Sequence, residues 1–538
     1  MDDQLWYKNA IFYQVYLRAF KDSNGDGRGD LRGLTDQLDY LKELGIDCIW
    51  LMPIYPSPLK DDGYDIADFY AIADIYGDLE DFRILLNSVH ERGMRLIMDL
   101  VMNHTSDRHP WFQSARSDRD SPFREFYVWS DSDGLYEQAR IIFLDIEPSN
   151  WTWDEKAGQY FWHRFYASQP DLNYDSPEVQ QEMLNVARFW LDLGIDGFRA
   201  DAVPYLFERE GTNCENLPET HEYLKRLRAM MDIEYPGRIL LCEANQLPED
   251  VRQYFGNGDE FQMGFDFPIM PRLFMAVKKG LAADLRDILR KTPAIPSECQ
   301  WCTFLRNHDE LTLEMVTPEE RAWMWEQYAP EPRMRLNLGI RRRLAPLLDN
   351  DARKIKLMNS LLLTLPGSPI IYYGDEIGMG DNIWLADRNG VRTPMQWSSG
   401  QNAGFSSALA DALYAPVIED DEYGPERVNV MTQRGDPDSI WNTVRHMLQT
   451  RKDRDVFGWG TIAWLDDQDA RLAAYRRQFR SDSIVAVHNL SDANVQFNPP
   501  PGMQARVWDL LTGRLYDLTA GSPNVELEPY QYLWLSAT

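Results

Sequence analysis

"GFRADAV", residues Gly197 to Val203, sets an arginine and an aspartate inside an otherwise apolar run. The run is too short for a buried helix and is flanked by helical patterns, so it predicts a buried strand. Arg199 and Asp201 are two residues apart and therefore share one face of that strand. A guanidinium and a carboxylate in such a place are costly to bury unless they have a partner or a task.

The same design recurs in both directions along the chain. "AIFYQVYLRAF" (Ala10 to Phe20), "CIWLMP" (Cys48 to Pro53), "LIMDLVMNH" (Leu96 to His104), "ILLCEAN" (Ile239 to Asn245), "CTFLRNHDE" (Cys302 to Glu310) and "PIIYYGDE" (Pro369 to Glu376) are short apolar runs, with "FQMGFDFP" (Phe261 to Pro268) a weaker one. Helical patterns lie between them. Leu31 to Gly45 puts Leu34, Leu38, Leu41 and Leu44 on one stripe and ends in a capping glycine. Ser176 to Gly194 opens on a Ser-Pro cap and ends likewise. Continuously apolar strands alternating with helices predict a parallel sheet, and about eight such units predict an α/β fold of the (β/α)8 TIM-barrel type.

Polar residues gather where these strands end: Asn103 and His104, Arg199 and Asp201, Glu243, His308 and Asp309, Asp375 and Glu376. In a barrel those ends share one face, and catalysis sits there. The barrel is expected over 1–103 and 174–455. An inserted subdomain B is expected over 104–173, after the third strand, and a lid-like insertion near 311–350. From about Val456 the helical patterns stop. "SIVAVHNL" (Ser483 to Leu490) and "YQYLWLSA" (Tyr530 to Ala537) then predict a C-terminal antiparallel β-sandwich domain over 456–538.

Composition narrows the function classes. The 538 residues carry 55 Lys+Arg against 85 Asp+Glu, a formal charge of −30, which argues against nucleic acid or an anionic membrane surface as partner. The chain start "MDDQLWYKNA" has no basic or apolar leader, and the most apolar later stretch is broken by Pro366, Gly367 and Pro369, so a cytoplasmic protein is expected. Five cysteines form no framework, and the lone Cys299–Cys302 C-x-x-C reads as ordinary thiols.

Asp201, Glu243 and Asp309 each end an apolar strand. Converging carboxylates with different pKa values suit glycoside chemistry, in which one attacks the anomeric carbon and another donates a proton to the leaving oxygen. "DLVMNH", "GFRADAV", "LCEAN" and "RNHDE" resemble the four sequence regions of the α-amylase superfamily, glycoside hydrolase family 13. "DGYDIADFYAI" (Asp62 to Ile72) and "VRTPMQW" (Val391 to Trp397) resemble signatures of its exo-acting members. This resemblance implies Asp201 as nucleophile, Glu243 as general acid/base and Asp309 as the carboxylate that grips the sugar. It implies that Arg199 keeps Asp201 ionised, that His104 and His308 bond sugar hydroxyls, and that Tyr64 stacks on the sugar. It further implies that Asp65 and Arg392 close the non-reducing end and that Gln169 lines the same subsite.

The segments Asp201 to Arg228 and Trp323 to Trp397 resemble one branch of the superfamily, whose members interconvert the disaccharides maltose and trehalose. That branch implies a retaining intramolecular transglucosylation through a glucosyl-Asp201 intermediate, with some hydrolysis to glucose. An exo-acting α-glucosidase that hydrolyses short α-glucosides is the alternative. A homo-oligomer is an expectation from the resemblance.

One further motif, "DSNGDGRGD" (Asp22 to Asp30), starts like an EF-hand loop, but Gly33 stands where the bidentate glutamate belongs and a predicted strand precedes it. Oxygens of Asp22, Asn24, Asp26 and Asp30 could wrap a structural Ca2+ or Mg2+; an Asx-turn loop without metal is the alternative. The resemblance implies a second Ca2+ site, from side chains of Asn103, Asp171 and Glu208 and carbonyls of Tyr205 and Leu206.

Overall fold

A computed structural model describes residues 3–500, 503, 506–518 and 525–537. Eight parallel strands close into a barrel in chain order: β1 (Phe12–Val15), β2 (Cys48–Leu51), β3 (Arg95–Val101), β4 (Gly197–Asp201), β5 (Ile239–Cys242), β6 (Met263–Phe265), β7 (Gln300–Phe304) and β8 (Ser368–Tyr372). Nearly every strand residue is buried, as expected when helices cover one side and the barrel core fills the other. The weak Phe261–Pro268 run does form its strand, only three residues long.

Two expectations shift. The Ala10–Phe20 run yields only the four-residue β1, and Leu17–Phe20 turns into a helix. The Leu31–Gly45 helix is split at Gln37 into Leu31–Asp36 and Leu38–Leu44, although its leucine stripe stays buried and Gly45 caps it in the left-handed region. Gly197 is required at the start of β4, since its φ is +148° and an added Cβ would meet the Ile239 carbonyl oxygen at 2.2 Å.

The chain leaves the barrel after β3 and returns where Asp171 pairs with His104 in an antiparallel bridge. Between them lie a helix (Pro110–Ser117) and a three-stranded antiparallel sheet. A second excursion follows β7 and is closed by a bridge from Leu311 to Ile340. It carries the helix Pro318–Tyr328.

The C-terminal region is a six-stranded antiparallel sheet faced by a two-stranded one, with Leu472, Val485, Val487, Phe497, Leu527 and Leu535 packed between. Residues 501, 502, 504, 505, 519–524 and 538 of the predicted domain lie outside those described. Two buried arginines, Arg477 of this sheet and Arg451 of the helix Ile440–Lys452, converge on one helix end, and Arg477 thereby ties the sheet to the barrel. Arg477 donates to carbonyls of Thr364 (2.6 Å), Phe457 (2.7 Å) and Gly460 (2.9 Å), and Arg451 to those of Leu363 (2.5 Å) and Gly367 (2.7 Å). Thr364 ends the helix Ala352–Thr364, so both cations sit at a helix C-terminus, where the dipole favours them.

Arg477→Met should strand these carbonyls in the core and cost about 2–4 kcal/mol. Differential scanning calorimetry checks it. A melting temperature equal to the parent's would show that the bonds contribute nothing.

Candidate active site

Register builds the centre of the site. In the β3–β4 pairing Asp99 lies beside Arg199 and Val101 beside Asp201, while Arg199 also pairs with Leu241 on β5. The Arg199 guanidinium, 1% exposed, then meets three carboxylates: it bonds Asp201 at 2.6 Å and makes closer contacts with Asp99 and Glu243. Asp99 is fixed in turn by the Trp50 indole N–H at 2.8 Å. Directly after Asp201 the chain enters the left-handed region at Ala202 (φ 52°), which turns the Ala202 N–H toward Glu243 Oε2 at 3.3 Å.

Two carboxylates on one guanidinium are close neighbours. A retaining mechanism calls for a close pair, its carboxyl groups roughly 5–5.5 Å apart. Burial pushes Glu243 up to about 8, with Asp201 and Asp309 adding and Arg199 opposing. Burial also pushes Asp201 up to about 6, so Arg199 limits that rise but does not reverse it. At neutral pH one acid is therefore ionised and the other protonated.

A cavity of about 880 Å3, mouth included, opens over these groups. Of the sequence-predicted residues, Tyr64, His104, Arg199, Asp201, Tyr205, Glu243, His308 and Asp309 line it. The His104 Nε2 has no hydrogen-bond partner among the described residues, and burial lowers this ring to about 4, so it is neutral and free to bond a hydroxyl. The Tyr64 ring stacks on His308 at 5.3 Å. Burial opposes ionisation of Asp309, but His308 and the guanidiniums of Arg388 (2.8 Å) and Arg392 (3.0 Å) outweigh it and hold the carboxyl well below its usual range.

The closed end differs from the expectation. Asp65 does not face Arg392. Its carboxylate is consumed by its own turn, accepting from Ser57 Oγ (2.8 Å), Lys60 N (3.0 Å) and Asp61 N (3.1 Å). Arg392 pairs instead with Asp62 at 2.6 Å and with Asp309. The acid that lines the cavity is Asp61, in close contact with Arg388. Gln169 sits behind it and donates to Asp61 Oδ2 at 2.9 Å. Asp61, Arg388, Asp99 and the cavity-lining Phe143, Phe165, Asn245 and Glu310 were missed by the sequence reading. The doubled acid of "DDGYD" and the four-residue spacing of Arg388 and Arg392 were the available signals.

The roof is also polar and paired. Arg140 of the first excursion bonds Glu215 (2.9 Å) and Glu314 (2.8 Å), Asn337 N donates to Asp145 at 2.7 Å, and Tyr166 donates to Asp387 at 2.9 Å.

The predicted metal residues fall into two groups. In Asp22–Asp30 the oxygens already cap their own loop: Asp22 accepts from Gly25 N (2.7 Å), Gly27 N (2.8 Å) and Ser406 Oγ (2.6 Å), Asn24 from Asp26 N (2.9 Å), and Asp30 from Gly33 N (2.7 Å). Around Asn103, by contrast, three buried oxygens have no hydrogen-bond partner among the described residues: Asn103 Oδ1, Asp171 Oδ2 and Glu208 Oε1.

The chain matches the family description "Alpha amylase, catalytic domain" over residues 14–329 and 340–460. It belongs to the α-amylase family. A trehalose synthase of Pimelobacter sp. (strain R48) is 53% identical over 98% of this chain and 93% of its own. A trehalose synthase/amylase TreS of Mycolicibacterium smegmatis is 56% identical over 94% of this chain and 87% of its own. Among solved structures, the trehalulose synthase MutB from Pseudomonas mesoacidophila MX-45 superposes with a TM-score of 0.79 at 29% identity, covering 99% of both chains.

The carboxylate pair makes a pH prediction. Asp201 must be ionised, so kcat/KM should rise with pH through about 6. Glu243 must hold its proton, so kcat/KM should fall above about 8. These limbs belong to the coupled pair. A pH–rate profile on the preferred α-glucoside tests this; a flat alkaline limb would remove Glu243 as the acid.

Proposed function

We propose that this protein interconverts maltose and trehalose by retaining intramolecular transglucosylation. The glucosyl unit sits against the blind end formed by Asp61, Arg388 and Asp309. Asp201 attacks its anomeric carbon while Glu243 gives its proton to the glycosidic oxygen, and glucose leaves a glucosyl-Asp201 ester. The freed glucose reorients. Its anomeric hydroxyl returns a proton to Glu243 and attacks the same carbon, which breaks the ester and restores the Asp201 carboxylate. Water at that moment would give hydrolysis instead.

The roof carries this reading. Arg140 of the first excursion pairs with Glu314 of the second, which lines the cavity, and Asn337 N donates to Asp145, so the two excursions are joined beside the cavity. Two excursions joined beside a blind end suit a reaction whose intermediate must not escape. The relatives at 53% and 56% identity, named trehalose synthase and trehalose synthase/amylase, support the same substrates.

We further propose a structural Ca2+ at Asn103, Asp171 and Glu208, with the carbonyls of Tyr205 and Leu206. Three unpartnered buried oxygens fit a hard cation. Burial pushes Asp171 up to about 8 and Glu208 well above its usual range, with Asp171 adding to the rise of Glu208, and a cation would offset that cost. The Asp22–Asp30 loop fits less well, because a Ca2+ or Mg2+ there must share oxygens that already cap the loop. A cytoplasmic setting suits the five buried free thiols. Among the described residues no helix is long and apolar enough to cross a membrane.

Incubation with maltose, both products quantified, should give trehalose as the main product with minor glucose. Mainly glucose with negligible trehalose would replace the isomerase with an α-glucosidase. Excess EDTA should lower the melting temperature by a few degrees and release Ca2+ detectable by elemental analysis, and Glu208→Gln should abolish that EDTA response. No bound metal together with an unchanged melting temperature would remove the site.

A further inference from the structure

Gln14 lies in the middle of β1 with 0% exposure, and it is absent from the cavity lining. Its amide Nε2 lies 2.6 Å from His308 Nδ1, which is equally buried. The Gln14 amide oxygen has no hydrogen-bond partner among the described residues. A buried amide left half-satisfied is costly unless its other half has a task.

Distance alone allows two arrangements. The amide can donate to a bare Nδ1, or a protonated Nδ1 can donate to a flipped amide oxygen. The opposite side of the ring decides. His308 Nε2 lies 3.1 Å from Asp309 Oδ2. Arg388 and Arg392 keep Asp309 charged, and its negative charge attracts an N–H and repels a lone pair on the facing ring nitrogen, although the contact is not aligned as a hydrogen bond. Nε2 therefore carries the hydrogen. Burial disfavours the imidazolium, so the ring has one proton and Nδ1 is bare. The remaining neighbours offer Nδ1 nothing: Tyr64 stacks on the ring and Trp50 meets it edge-on at 5.8 Å. The charged groups that act on it are Asp309, Arg199, Arg388 and Arg392.

We infer that Gln14 is a positioning residue: from inside the barrel it fixes the tautomer of His308, so that His308 presents an N–H and not a lone pair to Asp309 and the sugar beside it. The amide of Gln14 supplies the one donor that makes the bare Nδ1 tolerable in the core. The device acts through His308 and never touches substrate.

The first test needs no variant. In the protein with 15N-labelled histidine, His308, assigned by loss of its signal in His308→Asn, should show a protonated Nε2 and a bare Nδ1. A protonated Nδ1 overturns the proposal. This arm stands whatever sugar the enzyme takes, so its failure is distinct from failure of the maltose–trehalose reading. The second test compares Gln14→Met with Gln14→Glu on maltose. The methionine removes the donor at similar volume and should lower kcat about 10- to 100-fold, as loss of alignment does.

The glutamate reverses the bond. It holds a proton on Nδ1, so the Nε2 proton is retained only while His308 is an imidazolium. Gln14→Glu should therefore exceed Gln14→Met at low pH and lose that lead as pH rises. A purely structural role predicts the opposite order, since a buried charge disturbs packing more than a thioether does. Wild-type kcat in Gln14→Met, or Gln14→Glu below Gln14→Met at every pH, overturns the proposal. Should Gln14→Met fail to fold, the labelled wild-type protein still decides it, and Gln14→Glu is read against wild type, whose lead over it should widen as pH rises; a constant ratio across pH overturns the proposal.

Discussion

One guanidinium with three carboxylates around it governs the site. Arg199 is sealed in the barrel, and Asp99, Asp201 and Glu243 all reach it. A single buried cation cannot neutralise three anions, and each further ionisation costs more than the last. The resolution is a proton that stays on one of them. Glu243, raised furthest, keeps it, while Asp201 loses its own at lower pH. The proposed division of labour, Asp201 as nucleophile and Glu243 as acid, therefore follows from charge counting inside a closed strand ring. Asp99 enters that count without facing the cavity, and β-register alone puts it there, one strand over from Arg199.

The closed end uses the same logic with the ratio changed. Two guanidiniums, Arg388 and Arg392, share Asp61, Asp62 and Asp309. Cations are richer here, and Asp309 is driven firmly ionised where Glu243 is not. A charged Asp309 is a pure acceptor, suited to gripping hydroxyls. Different ratios of cation to acid, one to three and two to three, on one barrel face thus produce an acceptor at one end of the cavity and a donor at the other.

What the sequence revealed follows from which constraints are local. Strand ends are local: an apolar run that stops on a charge announced Arg199, Asp201, Glu243 and Asp309, and barrel closure brought them together. Loop residues answer to distant partners. Nothing near Asp61 says that its cation lies 327 residues on, and Asp65, the more regularly spaced acid of "DGYDIAD", proved to be the one its own turn absorbs. The pairing of Arg140 with Glu314 joins two excursions whose lengths were visible and whose contact was not. The shortening of β1 has a similar origin, since apolar content cannot tell a strand from the helical turn at Leu17–Phe20 that buries equally well.

The unpartnered oxygens behind His104 bear on catalysis as well as on stability. Asn103 and His104 are consecutive, and Asn103 Nδ2 approaches His104 Nδ1 at 3.4 Å. His104 also pairs with Asp171, so the acid end of the proposed cation site and the ring that faces the sugar share one short stretch of backbone. A cation there would fix the stem of the first excursion, and with it the orientation of His104. Loss of that cation would reach the sugar through a displaced imidazole while the Arg199 cluster, held by strand register, stayed in place. Such a protein should lose affinity before it loses chemistry, because His104 is braced from outside the barrel and the Arg199 cluster from within.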